Sequence, residues 1–169
     1  MQLQQIDKKT YRRHFSHLII ALIVLLALGS LGIAQLLIFL LTDRSGSHYW
    51  LNLLGVAITA ATLAWLLHRF RGHPWMREIV YVWDLKQELN RITRHLKKVR
   101  EGVERGEKAA MTILNFSYRG SRQVYQLDDN TITLDELNKS ITELEQTIAA
   151  HEFEISVSDY DPEKLVKYR

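Results

Sequence analysis

The sequence predicts an all-α protein: an N-terminal two-helix transmembrane hairpin followed by a cytoplasmic helical hairpin or three-helix coiled-coil-like bundle. Two long apolar runs near the N-terminus carry no charged residue, and from Val82 onward aliphatic residues recur at alternating spacings of three and four. Cysteine is absent. That removes disulfides, thiolate zinc sites, a cysteine nucleophile and a lipoprotein anchor together, while leaving the redox compartment open.

The first run, "LIIALIVLLALGSLGIAQLLIFLL" from Leu18 to Leu41, holds 24 residues without a charge, and only Gln35 interrupts it. A helix needs about 20 such residues to cross a hydrocarbon core about 30 Å thick. The apolar part of a cleaved signal peptide is about 7–15 residues, so this run reads as a retained span. The second, "YWLNLLGVAITAATLAWLL" from Tyr49 to Leu67, is diluted by Asn52, Thr59 and Thr62 but carries Tyr49, Trp50 and Trp65, aromatics suited to headgroup level. Buried helices of soluble proteins seldom exceed about 14 purely apolar residues, which favours the membrane reading. Residues 42–48, a short periplasmic loop, force an antiparallel hairpin. Gly29, Ser30 and Ala34 on the first helix, with Ala57, Ala60, Ala61 and Ala64 on the second, suit close backbone approach. Gln35 and Asn52 are the intramembrane polar residues, placed to bond within the hairpin or to a neighbour.

Basic residues set the orientation. Lys8, Lys9, Arg12 and Arg13 precede the first span in the basic segment 1–17, and Arg69, Arg71 and Arg77 follow the second; the loop has only Arg44, offset by Asp43. The positive-inside rule then puts both termini in the cytoplasm. The acids lie elsewhere. Residues Asp128 to Glu163 hold eleven acids against one base, Lys139.

The cytoplasmic part begins after a juxtamembrane break, residues 68–74, where Gly72 ends the second span and Pro74 suits a new first turn. A helical domain follows over residues 75–155. Trp75, Ile79, Val82 and Trp83 share a face near the headgroups, and Val82, Leu85, Leu89, Ile92, Leu96, Val99 and Val103 form a heptad seam ended by Gly102 and Gly106. A second helix runs from about Glu107 to Leu127 with Ala110, Ile113, Leu114, Tyr118, Val124 and Tyr125 inward, blemished by Gly120. The third carries Leu134, Leu137, Ile141, Leu144 and Ile148, with Asp135 and Lys139 as an (i, i+4) pair. It is shorter than the seam it must cover, so some apolar surface is left over for self-association. Residues 156–169 read as a loosely ordered tail or a short terminal helix.

One stretch resembles chemistry: "YQLDDNTITLDEL", Tyr125 to Leu137. An EF-hand loop needs oxygen ligands at its first, third and fifth positions, Gly at the sixth and Glu at the twelfth, and neither register from Asp128 or Asp129 supplies them. The competing reading is a connector, with Thr133 and Glu136 as a capping box and Asp and Asn forming the turn. His14 and His17 lie one helical turn apart but lack a third ligand nearby. No nucleophile elbow, P-loop, dinucleotide fingerprint or H-E-x-x-H motif is present, so no catalytic, cofactor or metal residues are expected. The basic stretch "RITRHLKKVR" puts Arg91, Arg94, Lys97 and Lys98 on an outer face. Without interleaved aromatics it does not suggest nucleic-acid readout, and it reads as a solvated face paired with the acidic third helix.

"IDKKTYRRH", "YWLNLLGV" and above all "YRGSRQVYQLDDNT" resemble a family of small two-span inner-membrane proteins of gammaproteobacteria, a domain of unknown function. The resemblance implies architecture and location but no catalytic residues. The function expected is a non-enzymatic membrane-anchored adaptor whose bundle binds itself or a cytoplasmic protein, with Leu89, Leu96, Arg94, Lys97 and Lys98 as interaction candidates. The alternative is a small transport or channel subunit, a homo-oligomer lined by Gln35, Asn52, Thr59 and Thr62. Beyond the bilayer and such partners, neither cofactor nor nucleic acid is expected.

Overall fold

A pair of apolar helices packs closely only where side chains are small. The computed structural model describes residues 1–43, 45–130 and 132–168. In it α1 spans Lys8–Leu41 and α2 spans Tyr49–Phe70, roughly 51 and 33 Å at 1.5 Å per residue. Their backbones nearly touch. A Cβ on Gly55 would lie 2.9 Å from both the Ala34 amide nitrogen and the Ser30 carbonyl oxygen, and one on Gly29 would lie 2.8 Å from Thr59 Cγ2. Gly29, Ser30 and Ala34 are thus the contact residues on α1, as expected. On α2 the expectation fails: Ala57, Ala60, Ala61 and Ala64 are exposed, and Gly55 and Thr59 face the partner. Small residues lie on several faces of α2, and the single position without a Cβ selects the face that can approach closest. Only 6% of the most apolar window of α1 and 11% of that of α2 is buried. Arg44, part of the orientation argument, lies outside the described residues.

Gly72 falls in the turn after α2, and Pro74 opens a 3-10 turn, Pro74–Met76. The single helix expected through Val103 is two, α3 over Arg77–Thr93 and α4 over Leu96–Glu104. At the break the His95 N–H bonds the Ile92 carbonyl, three residues back, at 2.9 Å. The Thr93 hydroxyl donates to the Leu89 carbonyl at 2.9 Å, a back-bond that bends helices. Two further helices follow, α5 over Lys108–Leu127 and α6 over Leu134–Ala150. The chain divides into two units, Lys9–Val80 and a second that joins Met1–Lys8 to the chain from Tyr81 onward.

In the second unit α5 is the centre. All eight residues from Ala110 to Ser117 are buried, so over those two turns the helix is covered on every side and a one-sided stripe does not describe it. Met111 and Phe116, outside the expected inward set, are fully buried, whereas Tyr118 and Tyr125 are intermediate. Side chains of this size contribute about 1.5–3 kcal/mol each when removed from water. Gly120, a blemish on propensity, is a contact point: its missing Cβ leaves room for Leu89 and Leu85, whose methyls would lie 3.1 and 3.3 Å from it. On the other sides, Gly102 of α4 meets Ala110, and Ile141 and Leu144 of α6 are buried.

The segment after α6, read from the sequence as a loosely ordered tail or a short terminal helix, is helical at its end. It forms two 3-10 turns, Val157–Asp159 and Pro162–Tyr168, with Tyr160, Leu165 and Tyr168 buried. The Tyr160 ring stacks on Phe116 with centroids 4.0 Å apart, and its hydroxyl donates to Glu88. Apolar residues spaced Tyr160, Leu165, Tyr168 follow neither helical nor strand period, which is why pattern alone passes over them.

Three helices end alike. After α4, α5 and α6 the chain turns through left-handed residues, Gly106 (φ 73°), Asp129 (φ 57°) and Glu152 (φ 54°). The amide after each bonds back to Gly102, Tyr125 and Ile148, at 2.9, 2.9 and 3.2 Å. This six-to-one closure satisfies carbonyls that a helix end otherwise leaves bare.

Candidate functional site

The acidic connector is a turn. Asp129 closes α5 and pairs with Lys8, and Asp128 Oδ2 lies 2.7 Å from Lys86 Nζ. Among the described residues no three His, Asp or Glu side chains gather as a metal site; Thr131 lies outside those residues. Thr133 is the N-cap of α6, but its side chain makes no cap bond. Its φ of −97° and ψ of 0° depart from the extended backbone that aims a cap oxygen at the second and third amides. A capping box does form at Ser156 and Asp159: the Ser156 N–H donates to Asp159 Oδ2 at 2.8 Å, and Ser156 Oγ accepts from the Ser158 N–H at 3.3 Å. The S-x-x-D spacing was its signal in the sequence.

The interaction candidates separate. Leu89 is only 8% exposed, packed inside its own unit, so it is not a docking residue. Most of the seam is covered within its own unit: Val82, Leu85, Leu89, Ile92 and Val99 are buried, with Leu85 and Leu89 against Gly120 of α5. Leu96 and Val103 are half-covered, and Arg94, Lys97 and Lys98 are exposed. The acids of α6 engage elsewhere, Glu145 with Arg119 of α5 and Glu143 with Lys139 at 3.9 Å, in place of the Asp135–Lys139 pair. Arg91 lies 3.7 Å from Glu88 of its own helix. In the hairpin, Gln35 and Asn52 are exposed on its outer surface. The hydroxyls of Thr59 and Thr62 donate to carbonyls of their own helix, Gly55 and Ile58, at 2.8 and 2.9 Å.

Glu107 accepts from three side chains. Its Oε1 accepts from Arg105 Nε at 2.9 Å, and its Oε2 accepts from Lys167 Nζ at 2.8 Å and Tyr168 Oη at 2.6 Å. The Lys167, Tyr168 and Arg105 hydrogen bonds hold its pKa down at about 2. Tyr168 and Tyr160 are raised by burial and by donation to Glu107 and Glu88 respectively. This is a clamp on the C-terminal segment.

An apolar concavity lies in the other unit. Leu18, Ala21, Leu22 and Leu25 of α1, Leu63, Leu66, Leu67 and Phe70 of α2, and His73, Trp75 and Met76 of the following turn enclose a cleft of about 360 Å³. Its walls are almost wholly apolar. His73 Nδ1 accepts from the Trp75 N–H at 3.2 Å, capping the 3-10 turn, which assigns the proton of the neutral ring to Nε2. His14, one turn before Leu18, lies against Trp75 with ring centroids 4.8 Å apart, and its Nδ1 is 3.6 Å from Glu78 Oε2. Those two atoms are buried and make no hydrogen bond. Histidine capping by His73 was not foreseen, since the usual cap residues are Ser, Thr, Asp and Asn.

No curated protein and no solved structure matches the chain. A family described as "Protein of unknown function (DUF3087)" matches residues 1–165; the chain belongs to that family.

Proposed function

We infer that the protein is a non-enzymatic integral membrane protein whose helical hairpin anchors a helical domain that binds a protein partner. The observation that carries the reading is the contrast between the two units. Ile20, Ile23, Leu28, Leu31, Phe39, Leu40 and Trp50 of the hairpin are 59–75% exposed, whereas the helical domain folds its aliphatic seam inward. So much contiguous apolar surface is untenable in water and normal in lipid. Basic residues on both outer flanks favour an inner-membrane protein with both termini cytoplasmic.

The domain's exterior presents basic charge for recognition, Arg94 in the turn before α4 and Lys97 and Lys98 on α4. An acidic protein partner suits it better than a second copy docked through the seam. Self-association, and with it the transport or channel alternative, now rests on the exposed amides Gln35 and Asn52, because Thr59 and Thr62 are satisfied within α2.

The test uses single cysteines. A thiol at Ser47 should react with an impermeant maleimide in intact cells, and one at Ser158 only after permeabilisation; the reverse pattern ends the orientation, and carbonate-extractable protein ends the membrane reading. Crosslinking from position 97 in cells, followed by mass spectrometry, then separates partner binding from isolation in the membrane.

A further inference from the structure

We propose that the cleft between the cytoplasmic ends of α1 and α2 is a lipid site that takes one acyl chain of an anionic phospholipid, with the phosphate held at the His73 end. The proposal rests on the membrane reading above. Once the hairpin spans a bilayer, Leu18 to Leu25 and Leu63 to Phe70 form the cytoplasmic end of its apolar surface. The cleft they make with Trp75 and Met76 is therefore at acyl-chain depth. Its volume of about 360 Å³ falls within the usual range of ligand pockets, roughly 300–1,000 Å³.

A lipid tail gains little by leaving other tails for a leucine-lined cleft, because the two are equally apolar. Preference must come from the headgroup. At that end the groups favour an anion: His73 has its Nδ1 committed to the Trp75 amide, so Nε2 carries a hydrogen-bond donor at the rim. Arg69, exposed in the last turn of α2, adds positive charge at this end of the hairpin. Glu78 opposes an anion, but it faces His14 at 3.6 Å. A phosphodiester accepting from His73 and an arginine, with its chain lying along Leu66, Leu22 and Leu25, satisfies both the polar rim and the apolar floor. Engagement of each basic group near the surface is expected to enrich anionic over zwitterionic lipid roughly fivefold.

The experiment uses the full chain in phosphatidylcholine vesicles containing a small fraction of phosphatidylglycerol with a photoreactive diazirine in mid-chain. After illumination, adducts are mapped by peptide mass spectrometry. They should concentrate on Leu18–Leu25 and Leu63–Phe70, and unlabelled phosphatidylglycerol should compete them away while added phosphatidylcholine does not. Ala21→Trp, which fills the cleft, should lower labelling there about fivefold, whereas Leu28→Trp on the exposed face should not. His73→Asp keeps an acceptor for the Trp75 amide but carries no donor for the rim, and it should lose the anionic preference without unfolding the turn. Adducts spread evenly over both helices, unchanged by Ala21→Trp and by His73→Asp, mean annular lipid only and overturn the site. An absence of adducts on either helix overturns the membrane reading itself.

Discussion

Gly55 and Ala34 approach within less than a side chain of each other: a Cβ built on Gly55 would sit 2.9 Å from the Ala34 amide nitrogen. Because the obstacle is backbone, it cannot rotate away. Gly55→Leu should therefore destabilise the hairpin by about 3 kcal/mol, the upper end of overpacking costs. Gly32→Leu is the matched control, since nothing lies within 4 Å of its Cβ position, and it should change stability by no more than about 0.5 kcal/mol. Loss of helical circular dichroism on titrating a denaturing into a mild detergent measures both.

Leu89→Asp should unfold the helical domain and not merely dissociate a complex. Leu89 packs against Gly120 inside the unit, and replacing it leaves a cavity and a buried charge, worth about 3–5 kcal/mol together. Arg94→Glu and Lys97→Glu, both exposed, should shift the melting midpoint by under about 0.5 kcal/mol in equivalent free energy. A Leu89→Asp variant that melts like the parent would return that residue to the surface.

The C-terminal segment should undock in acid. Glu107 has its carboxyl lowered from an ordinary 4.5 to about 2 by its three donors. A lowered carboxylate stabilises the fold fully above its unfolded pKa and loses that contribution as pH falls through its folded one. The window is therefore about pH 4.5 down to about 2. A dye on cysteine at the exposed position 163 should show falling anisotropy across that window. In Glu107→Gln the docking should be weaker at neutral pH and should lack this pH dependence.

Helix ends offer a gain and a null result. Glu152 closes α6 at φ 54°, a left-handed conformation that costs a residue with a Cβ about 1–2 kcal/mol. Glu152→Gly should raise stability by about 0.5–1 kcal/mol after the greater freedom of glycine in the unfolded chain is subtracted. Thr133→Ala, by contrast, removes no cap bond and should cost under about 0.5 kcal/mol, not the about 0.5–2 kcal/mol of a working N-cap. Thermal unfolding of the two variants beside the parent decides both.

Local properties were legible in the sequence. The two uncharged runs, the break at Gly72 and Pro74, the turn at Asp128 and Asp129, and the aliphatic spacing along α3 and α6 each depend on residues within one or two helical turns, and a helix forms on those terms. The bend at Arg94–His95 was written just as locally in Thr93, though its hydroxyl had other partners open to it. Tertiary structure alone decided which surfaces meet. Apolar patterning says that Leu89 must leave water, but it names no partner, and the missing side chain of Gly120 on α5 supplied the place for it. The same holds for α2, where several small faces competed and the approach of Gly55 to Ala34 chose one. The cleft is the clearest case: its walls come from two helices and a turn some fifty residues apart along the chain, and its polar rim depends on which nitrogen of His73 the Trp75 amide occupies. Burial is a demand each segment makes by itself, whereas fit is a property of pairs of surfaces, and only the folded chain brings the pairs together.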